Sequence, residues 1–298
     1  MGGHVGGRWL DTAPAYGLGH AEELVGRALA DLPEPDRPYL FTKTGLVWNE
    51  GDDRTGPPHR IVRPDIVRGE LEASLRRLRV DHIDLYQVHW PDTGEVFVYG
   101  ADGTASGAAT PLEEYWQVMA DLKKEGKVRA IGLSNHDVAQ LTAAEQIAHV
   151  DAIQPPFSAI NRSSAPEIAW AKDNGTGVIA YSPLQSGLLT GAFTADRKLS
   201  ADDWRSGHPD FTTNLSANLA LVEALRPIAA RHEVSVAGVA LSWATAWPGV
   251  TGAIVGARTV AQIDGWIGAS ALELTATDLA DITTALTETG AGTGPANT

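Results

Sequence analysis

Two rhythms of apolar and polar residues alternate along the chain. Short apolar runs occupy Arg8 to Ala13, Tyr39 to Lys43, His82 to His89, Val128 to Ser134, Asp151 to Gln154, Gly177 to Ser182 and Val250 to Val255. Each has the length and bounding residues of a strand. Between them, apolar residues recur three and four positions apart, as on one face of a helix. The clearest case is Pro64 to Arg79, with proline at the first helical position, Asp65 in the first turn, and Val67, Leu71, Ser74, Leu75 and Leu78 in one stripe. The stretch Gly19 to Leu29 has the same period. Further helices are expected near Pro111 to Glu125, Asp137 to Ala148, Ala165 to Asn174, Ala217 to Arg231, Ser235 to Trp247, Val260 to Ala269 and Ala276 to Leu286. Strands and helices taking turns in this way predict parallel βαβ units, and so an α/β fold.

Two stretches break the rhythm. Asp92 to Thr110 is rich in Gly and Ala around Glu95-Val-Phe-Val-Tyr99 and reads as a hairpin or lid, while Gly191 to Thr213 is a long polar connection. Residues 1–6 and the Gly- and Thr-rich 289–298 are expected to be disordered. No linker divides the 298 residues, so one domain is expected. The strand candidates number seven, where a (β/α)8 barrel has eight, and Met1 to Gly7 offers neither a strand nor a helix.

Charge and composition narrow the functions. A net charge of −14 disfavours a nucleic-acid partner, which calls for a basic face. The absence of cysteine removes disulfides, thiolate metal sites and cysteine nucleophiles. No apolar run approaches the length of a membrane span, and Met1 to Gly7 has no signal-peptide core. The expectation is a cytoplasmic protein acting on small molecules, with no membrane or nucleic-acid partner and no metal.

Chemistry gathers at the strand ends. Asp11 and Tyr16 follow the first strand, Lys43 ends the second and His89 ends the third. In a parallel barrel all four belong to the C-terminal face, where such folds hold their active sites. A phenol with a pKa of about 10 is a poor acid at neutral pH; a nearby ammonium lowers that value, and a carboxylate keeps the ammonium charged and oriented. Tyr16 then protonates a developing alkoxide while His89 fixes the carbonyl oxygen, an arrangement suited to carbonyl reduction by hydride transfer. Taken singly, each residue also has an ordinary structural explanation as a turn, a strand end or a core histidine. Trp48 and Trp90 flank these strand ends and are candidates for the substrate pocket or for simple packing.

These motifs, taken in order, resemble the aldo-keto reductase superfamily: Asp11-Thr-Ala-Pro-Ala-Tyr-Gly17, Ala21-Glu-Glu-Leu-Val-Gly26, Thr42-Lys-Thr-Gly45, Asp81-His-Ile-Asp-Leu-Tyr-Gln-Val-His89, Ile131-Gly-Leu-Ser-Asn135, Ala180-Tyr-Ser-Pro-Leu-Gln-Ser-Gly-Leu-Leu-Thr-Gly191 and Ile254-Val-Gly-Ala-Arg258. Within it, the chain looks most like the bacterial, potassium-channel-β-subunit-like branch. The resemblance implies a (β/α)8 barrel using a nicotinamide cofactor, with Tyr16 as general acid, Lys43 and Asp11 as its tuners and His89 orienting the substrate. It also implies that Ser134, Asn135 and Gln154 hold the carboxamide and that Tyr181 stacks on the nicotinamide. Ser182, Pro183, Leu184 and Gly187 to Leu189 would wrap the pyrophosphate, with Gly256 and Gln262 in the same site. Arg258, placed for a 2′-phosphate near a helix start, favours NADP over NAD. One departure is Gly265-Trp266 where relatives often have Glu-Asn; Trp266 lacks the amide that contacts adenine but offers a ring to stack on it.

Relatives begin with a strand and a Gly-rich turn ahead of the Asp-Thr-Ala segment, whereas this sequence starts at the second unit. The expectation is therefore a barrel lacking its first strand and helix, with open edges that favour self-association. An NADPH-dependent reductase of an aldehyde or ketone, or its reverse on a sugar-like alcohol, is one expectation; a catalytically weak NADP-binding or regulatory protein is the other. Leu46-Val-Trp-Asn49 resembles relatives acting on sugars, inositols or small carbonyl compounds.

Overall fold

The computed structural model describes residues 9–48, 54–98, 103–105 and 107–297. The start expected to be disordered, residues 1–6, lies outside these residues. The chain groups into two compact units, one from Gly7 to Gln154 and one from Pro155 onward.

All the expected elements of the first unit form. In chain order they are β1 (Trp9–Asp11), α1 (His20–Ala30), β2 (Tyr39–Thr44), β3 (Leu46–Val47), β4 (His59–Arg60), α2 (Pro64–Leu78), β5 (Ile83–Val88), α3 (Leu112–Lys124), β6 (Val128–Ser134), α4 (Val138–Glu145) and β7 (Ala152–Gln154). The strands pair in parallel in the order β1-β2-β5-β6-β7, with Leu10 beside Leu40, Phe41 beside Leu85, Leu85 beside Ala130 and Leu133 beside Ile153. Consecutive parallel strands with a helix between them place every strand's C-terminal end on one side, which is why the chemistry-bearing residues of this unit converge. Leu71, Leu78, Ile83, Tyr86, Met119, Leu122, Ile131 and Leu133 are buried completely or almost so and form its core.

Two motif glycines have clear local reasons. A Cβ on Gly26 would stand 2.5 Å from the carbonyl of Arg77, so α1 approaches α2 this closely only with glycine there. Gly45 has φ +96°, and a Cβ would meet Val62 at 2.4 Å. The antiparallel β3–β4 ribbon was not anticipated; its two-residue strands carry no period to read. The described part of Asp92 to Thr110 extends it as a hairpin, with bridges His59–Val96 and Glu95–Ala105.

The second unit holds α5 (Ala165–Asn174), β8 (Gly177–Ala180), α6 (Leu215–Arg231), α7 (Val236–Ala246), β9 (Gly252–Ala253), α8 (Val260–Asp264) and α9 (Ala276–Thr289). β8 and β9 are parallel neighbours, with Ala180 beside Ala253. Phe157, Trp243 and Trp247 cluster in the core, the first two stacked at 5.7 Å. Two expectations are corrected here. The helix read over Val260 to Ala269 stops at Asp264, and a short 3-10 turn follows at Ile267–Ala271. The tail is ordered rather than disordered: Thr293 bridges to Asn161, and the buried Arg162 donates from Nε to the Pro295 carbonyl at 2.7 Å and from Nη2 to that of Gly294 at 3.2 Å. A composition of Gly and Thr hides this order because backbone carbonyls, not side chains, make the contacts.

Among the described residues no helix is long and apolar enough to cross a membrane. Nor is any group of three His, Asp or Glu placed to hold a metal ion.

Candidate active site and cofactor cleft

The four candidate catalytic residues meet at the strand ends of the first unit. Lys43 is fully buried, and its ammonium donates to Asp11 Oδ1, to the Thr12 carbonyl at 3.0 Å and to the Tyr16 hydroxyl at 3.5 Å. The Asp11 side chain is only 4 % exposed, so a buried charge faces a buried countercharge. Asp11 Oδ2 accepts from Gln154 Nε2 at 2.8 Å and from Gln87 Nε2 at 3.5 Å, which fixes the carboxylate from its far side. Tyr16, by contrast, is 43 % exposed at the tip of the β1–α1 loop. The ammonium lies 5.1 Å from the centre of its ring, and the His89 imidazole packs edge-on to it at 5.7 Å. Burial, reinforced by the Lys43 charge, holds the His89 pKa well below its usual value. A neutral imidazole has one N–H to donate and one nitrogen to accept.

The expected carboxamide residues stand beside this quartet. Asn135, in the left-handed conformation at φ +63°, donates from Nδ2 to the His89 carbonyl at 2.9 Å and to Ser134 Oγ at 3.0 Å. Ser134 Oγ donates to the Gln154 carbonyl at 2.8 Å. Gln154 uses its amide nitrogen on Asp11 and Gln87, while its amide oxygen takes no hydrogen bond among the described residues. Behind them, buried His136 lies 2.8 Å from the Ser134 carbonyl through Nδ1 and 2.9 Å from the Tyr115 hydroxyl through Nε2. Burial lowers its pKa to about 4.

Trp48 and Trp90 are held by local packing. The Trp48 indole donates to the Gly56 carbonyl at 2.9 Å, and its ring lines a small cavity of about 190 Å³ with Pro14, Leu18, Leu46, Val47, Arg54 and Glu70. Trp90 packs on Phe97 at 5.2 Å, with the Arg60 guanidinium 5.2 Å from its ring centre.

In the second unit, Tyr181, Ser182, Pro183, Leu184, Gly187, Gly256, Arg258, Gln262 and Trp266 all line one cleft of about 870 Å³. The Leu189 side chain is fully buried in the core. The loop under the cleft is strained, with Ser182, Gln185 and Ser186 at φ +54°, +44° and +51° and Gly187 at +100°. Left-handed non-glycine residues cost ~1–2 kcal/mol each and concentrate at functional sites, where successive N–H groups form anion cradles. Arg258 is exposed at the rim and forms no ion pair among the described residues, while its backbone N–H donates to Gln262 Oε1 at 2.7 Å. Because α8 has only five residues, the guanidinium rather than a helix terminus supplies the positive charge there. The Trp266 indole nitrogen is buried without a hydrogen-bond partner. Arg197, Trp204 and Arg205, which the sequence did not single out, also line the cleft. Arg205 is fixed by Asp203 at 2.6 Å and donates to the Ser186 carbonyl at 3.2 Å. An arginine-lined cleft with apolar walls and a cradle of left-handed residues fits a dinucleotide.

A carboxylate, an ammonium, a phenol and an imidazole thus gather at the ends of parallel strands, an arrangement suited to carbonyl reduction. The chain belongs to the aldo/keto reductase family, whose model matches residues 4–287. It is 36% identical over 284 residues to the aldo-keto reductase YhdN of Bacillus subtilis, covering 94% of this chain and 80% of that protein. It is 32% identical to the NADH-specific methylglyoxal reductase of Escherichia coli, covering 90% and 80%. Among solved structures, the glycerol dehydrogenase AKR11B4 from Gluconobacter oxydans superposes with a TM-score of 0.84 at 34% identity, covering 94% of this chain and 81% of that one. The fold is thus the α/β barrel type of this family, which uses a nicotinamide cofactor.

Proposed function

We propose that the protein is a cytoplasmic NADPH-dependent reductase of small aldehydes or ketones, or of the corresponding sugar-like alcohols in the reverse direction, with Tyr16 as general acid. The observation that carries this reading is the buried Asp11–Lys43 pair with the Tyr16 hydroxyl 3.5 Å from its ammonium. When bound, the cofactor supplies the hydride. Tyr16 gives its proton to the oxygen of the carbonyl being reduced, and Lys43 stabilises the phenolate left behind. Asp11, held by Gln154 and Gln87, keeps the ammonium charged and aimed. His89, kept neutral by burial, donates an N–H to the same substrate oxygen and orients it. Gln154 Oε1, Ser134 and Asn135 would hold the carboxamide, and the Ser182–Gly187 loop the pyrophosphate.

Arg258 supports preference for NADPH, since an exposed guanidinium with no ion-pair partner among the described residues suits a 2′-phosphate. The relative described as NADH-specific makes this preference worth measuring directly. The chain's likeness to the channel-β-subunit branch and its self-association belong to the same proposal.

The test is carbonyl-dependent NADPH oxidation by the purified protein over a panel of short aldehydes and ketones, with NADP+ reduction by sugar-like alcohols measured for the reverse direction. Tyr16→Phe is expected to lower kcat by about 10²- to 10⁴-fold while leaving NADPH binding intact. Activity that survives this substitution would remove Tyr16 from the mechanism. A wild-type protein that binds NADPH but turns over nothing would leave a binding or regulatory role.

A further inference from the structure

The outward face of β2 presents two threonines, Thr42 and Thr44, on either side of the inward-pointing Lys43. Each hydroxyl donates to a glutamate on a different helix. Thr42 Oγ1 donates to Glu22 of α1 at 2.6 Å, and Thr44 Oγ1 donates to Glu70 of α2 at 2.7 Å. The strand carrying the candidate catalytic lysine is thus pinned from behind by two carboxylates.

The two are not equivalent. Glu22 is fully buried but neutralised by Arg77, whose Nε donates to its second oxygen at 2.6 Å. Glu70 has no cation within salt-bridge distance among the described residues. Its Oε2 accepts both from Thr44 Oγ1 and from the Gly45 N–H, each at 2.7 Å, and Glu70 lines the small cavity with Pro14 and Leu18, which flank Tyr16 in the sequence. Thr44 in turn accepts from the His89 N–H through its carbonyl at 2.9 Å. One carboxylate oxygen therefore reaches Lys43 through its chain neighbour and His89 through one backbone hydrogen bond.

We propose that Glu70 is a positioning residue: through Thr44 and Gly45 it holds the end of β2 and the turn that bears His89, and so sets the mutual placement of Lys43 and His89. Its catalytic consequence rests on the reductase reading above. A packing role alone would be met by an apolar side chain, yet a carboxylate without a cation is kept here at some cost to stability. Burial and the Glu22 charge push its carboxyl up to about 7, against the pull of Thr44, Gly45 and Arg77. The other charged or titratable groups facing it are the Tyr86 phenol of β5 and Arg54 across the cavity. The ionised form is the stronger double acceptor, so the hold on β2 tightens as pH rises through neutrality.

The experiment compares wild type, Glu70→Ala and Glu70→Gln by amide hydrogen exchange at Thr44, Gly45 and His89, and by kcat and KM for NADPH-dependent carbonyl reduction from pH 5.5 to 8.5. Glu70→Ala is expected to speed exchange at these three amides and to lower kcat by about 10- to 100-fold, with KM for NADPH within about twofold. Glu70→Gln, which keeps an acceptor oxygen, is expected to restore kcat and to lack the rise near pH 7 that wild type shows. Unchanged exchange in Glu70→Ala overturns the proposal, as does faster exchange with wild-type kcat at every pH, or Glu70→Gln failing as badly as Glu70→Ala. Should Glu70→Ala not fold, Thr44→Val removes one donor at nearly constant volume and carries the same test. If wild type reduces no carbonyl, the reductase reading fails, while the exchange data still decide whether Glu70 holds β2.

Discussion

The strand ends of the first unit and the cleft of the second handle polar groups in opposite ways. Lys43 is met by Asp11, the Thr12 carbonyl and Tyr16, and Asp11 is met again by Gln154 and Gln87, so the charges are in place before any ligand arrives. In the cleft, among the described residues, Arg258 has no ion-pair partner and the Trp266 indole nitrogen has no acceptor, and the Ser182–Gly187 loop holds a strained conformation. Preorganisation serves the reacting groups, where misplacement costs rate. Unmet capacity serves ligand capture, where partners arrive with the anion.

The largest break in this comparison comes from Lys43→Met. The substitution keeps the volume roughly constant and strands a carboxylate that is 4 % exposed. Losing one partner of a buried pair costs about 3–5 kcal/mol, even where replacing both partners would be tolerated. Chemical denaturation should show that loss together with abolished turnover. The double variant Lys43→Met, Asp11→Leu should recover part of the stability and none of the activity. Equal stability in wild type and Lys43→Met would mean that the pair is not preorganised in the sense argued above.

A second effect, of about 3 kcal/mol, concerns pH. Glu70 has a carboxyl raised from 4.5 to about 7 in the folded protein. Its protonated form is favoured by folding, so its contribution to stability is fully present below pH 4.5 and is lost as pH rises through 7. Glu70→Gln does not titrate. Its melting temperature relative to wild type should therefore climb between pH 4.5 and 8, and a flat difference would remove the linkage. His136, lowered to about 4, runs the other way: it costs wild type stability as pH falls from 6.5 towards 4, and it does so equally in both proteins, so it cancels in the comparison.

How legible each region was in the sequence follows from the same contrast. The quartet could be read because its members sit at the ends of strands whose apolar runs are plain, and Val128–Ser134 and Ala165–Asn174 fall on the residues expected. Glu22 and Glu70 went unremarked as polar residues on amphipathic helices. The signal that would have found them is the Thr-Lys-Thr alternation of β2, which demands acceptors behind the strand. The break at Gly265 was hidden because the apolar period of 260–269 continues through it. The ordered tail depends on the Arg162 guanidinium reaching backbone carbonyls more than 120 residues away, which no local pattern encodes.

Arg258→Ala tests the cleft at the level of about tenfold in affinity, the worth of one charge-assisted contact to phosphate. Fluorescence titration should show weaker NADPH binding and unchanged NADH binding. Wild-type affinity for NADPH should also fall with added salt, because the guanidinium is exposed and therefore screened. Equal losses for the two cofactors would place Arg258 on the pyrophosphate instead.

Trp266→Phe sharpens the contrast at its smallest scale. A buried indole N–H with no acceptor costs about 1–3 kcal/mol in the free protein, and phenylalanine removes that cost while giving up part of the ring's packing area. The two terms oppose each other, so the melting temperature of the free protein should move by less than the equivalent of ~1 kcal/mol. Cofactor affinity responds differently according to what the indole does. If the ring only stacks on the ligand, phenylalanine keeps most of the interaction and affinity falls about threefold or less. If the N–H finds its acceptor on the bound dinucleotide, the free protein gains from the substitution while the complex loses, and affinity falls by about tenfold or more. Measuring stability and affinity on the same variant separates the two outcomes, and the second would show that the unmet donor in the cleft is part of the binding site.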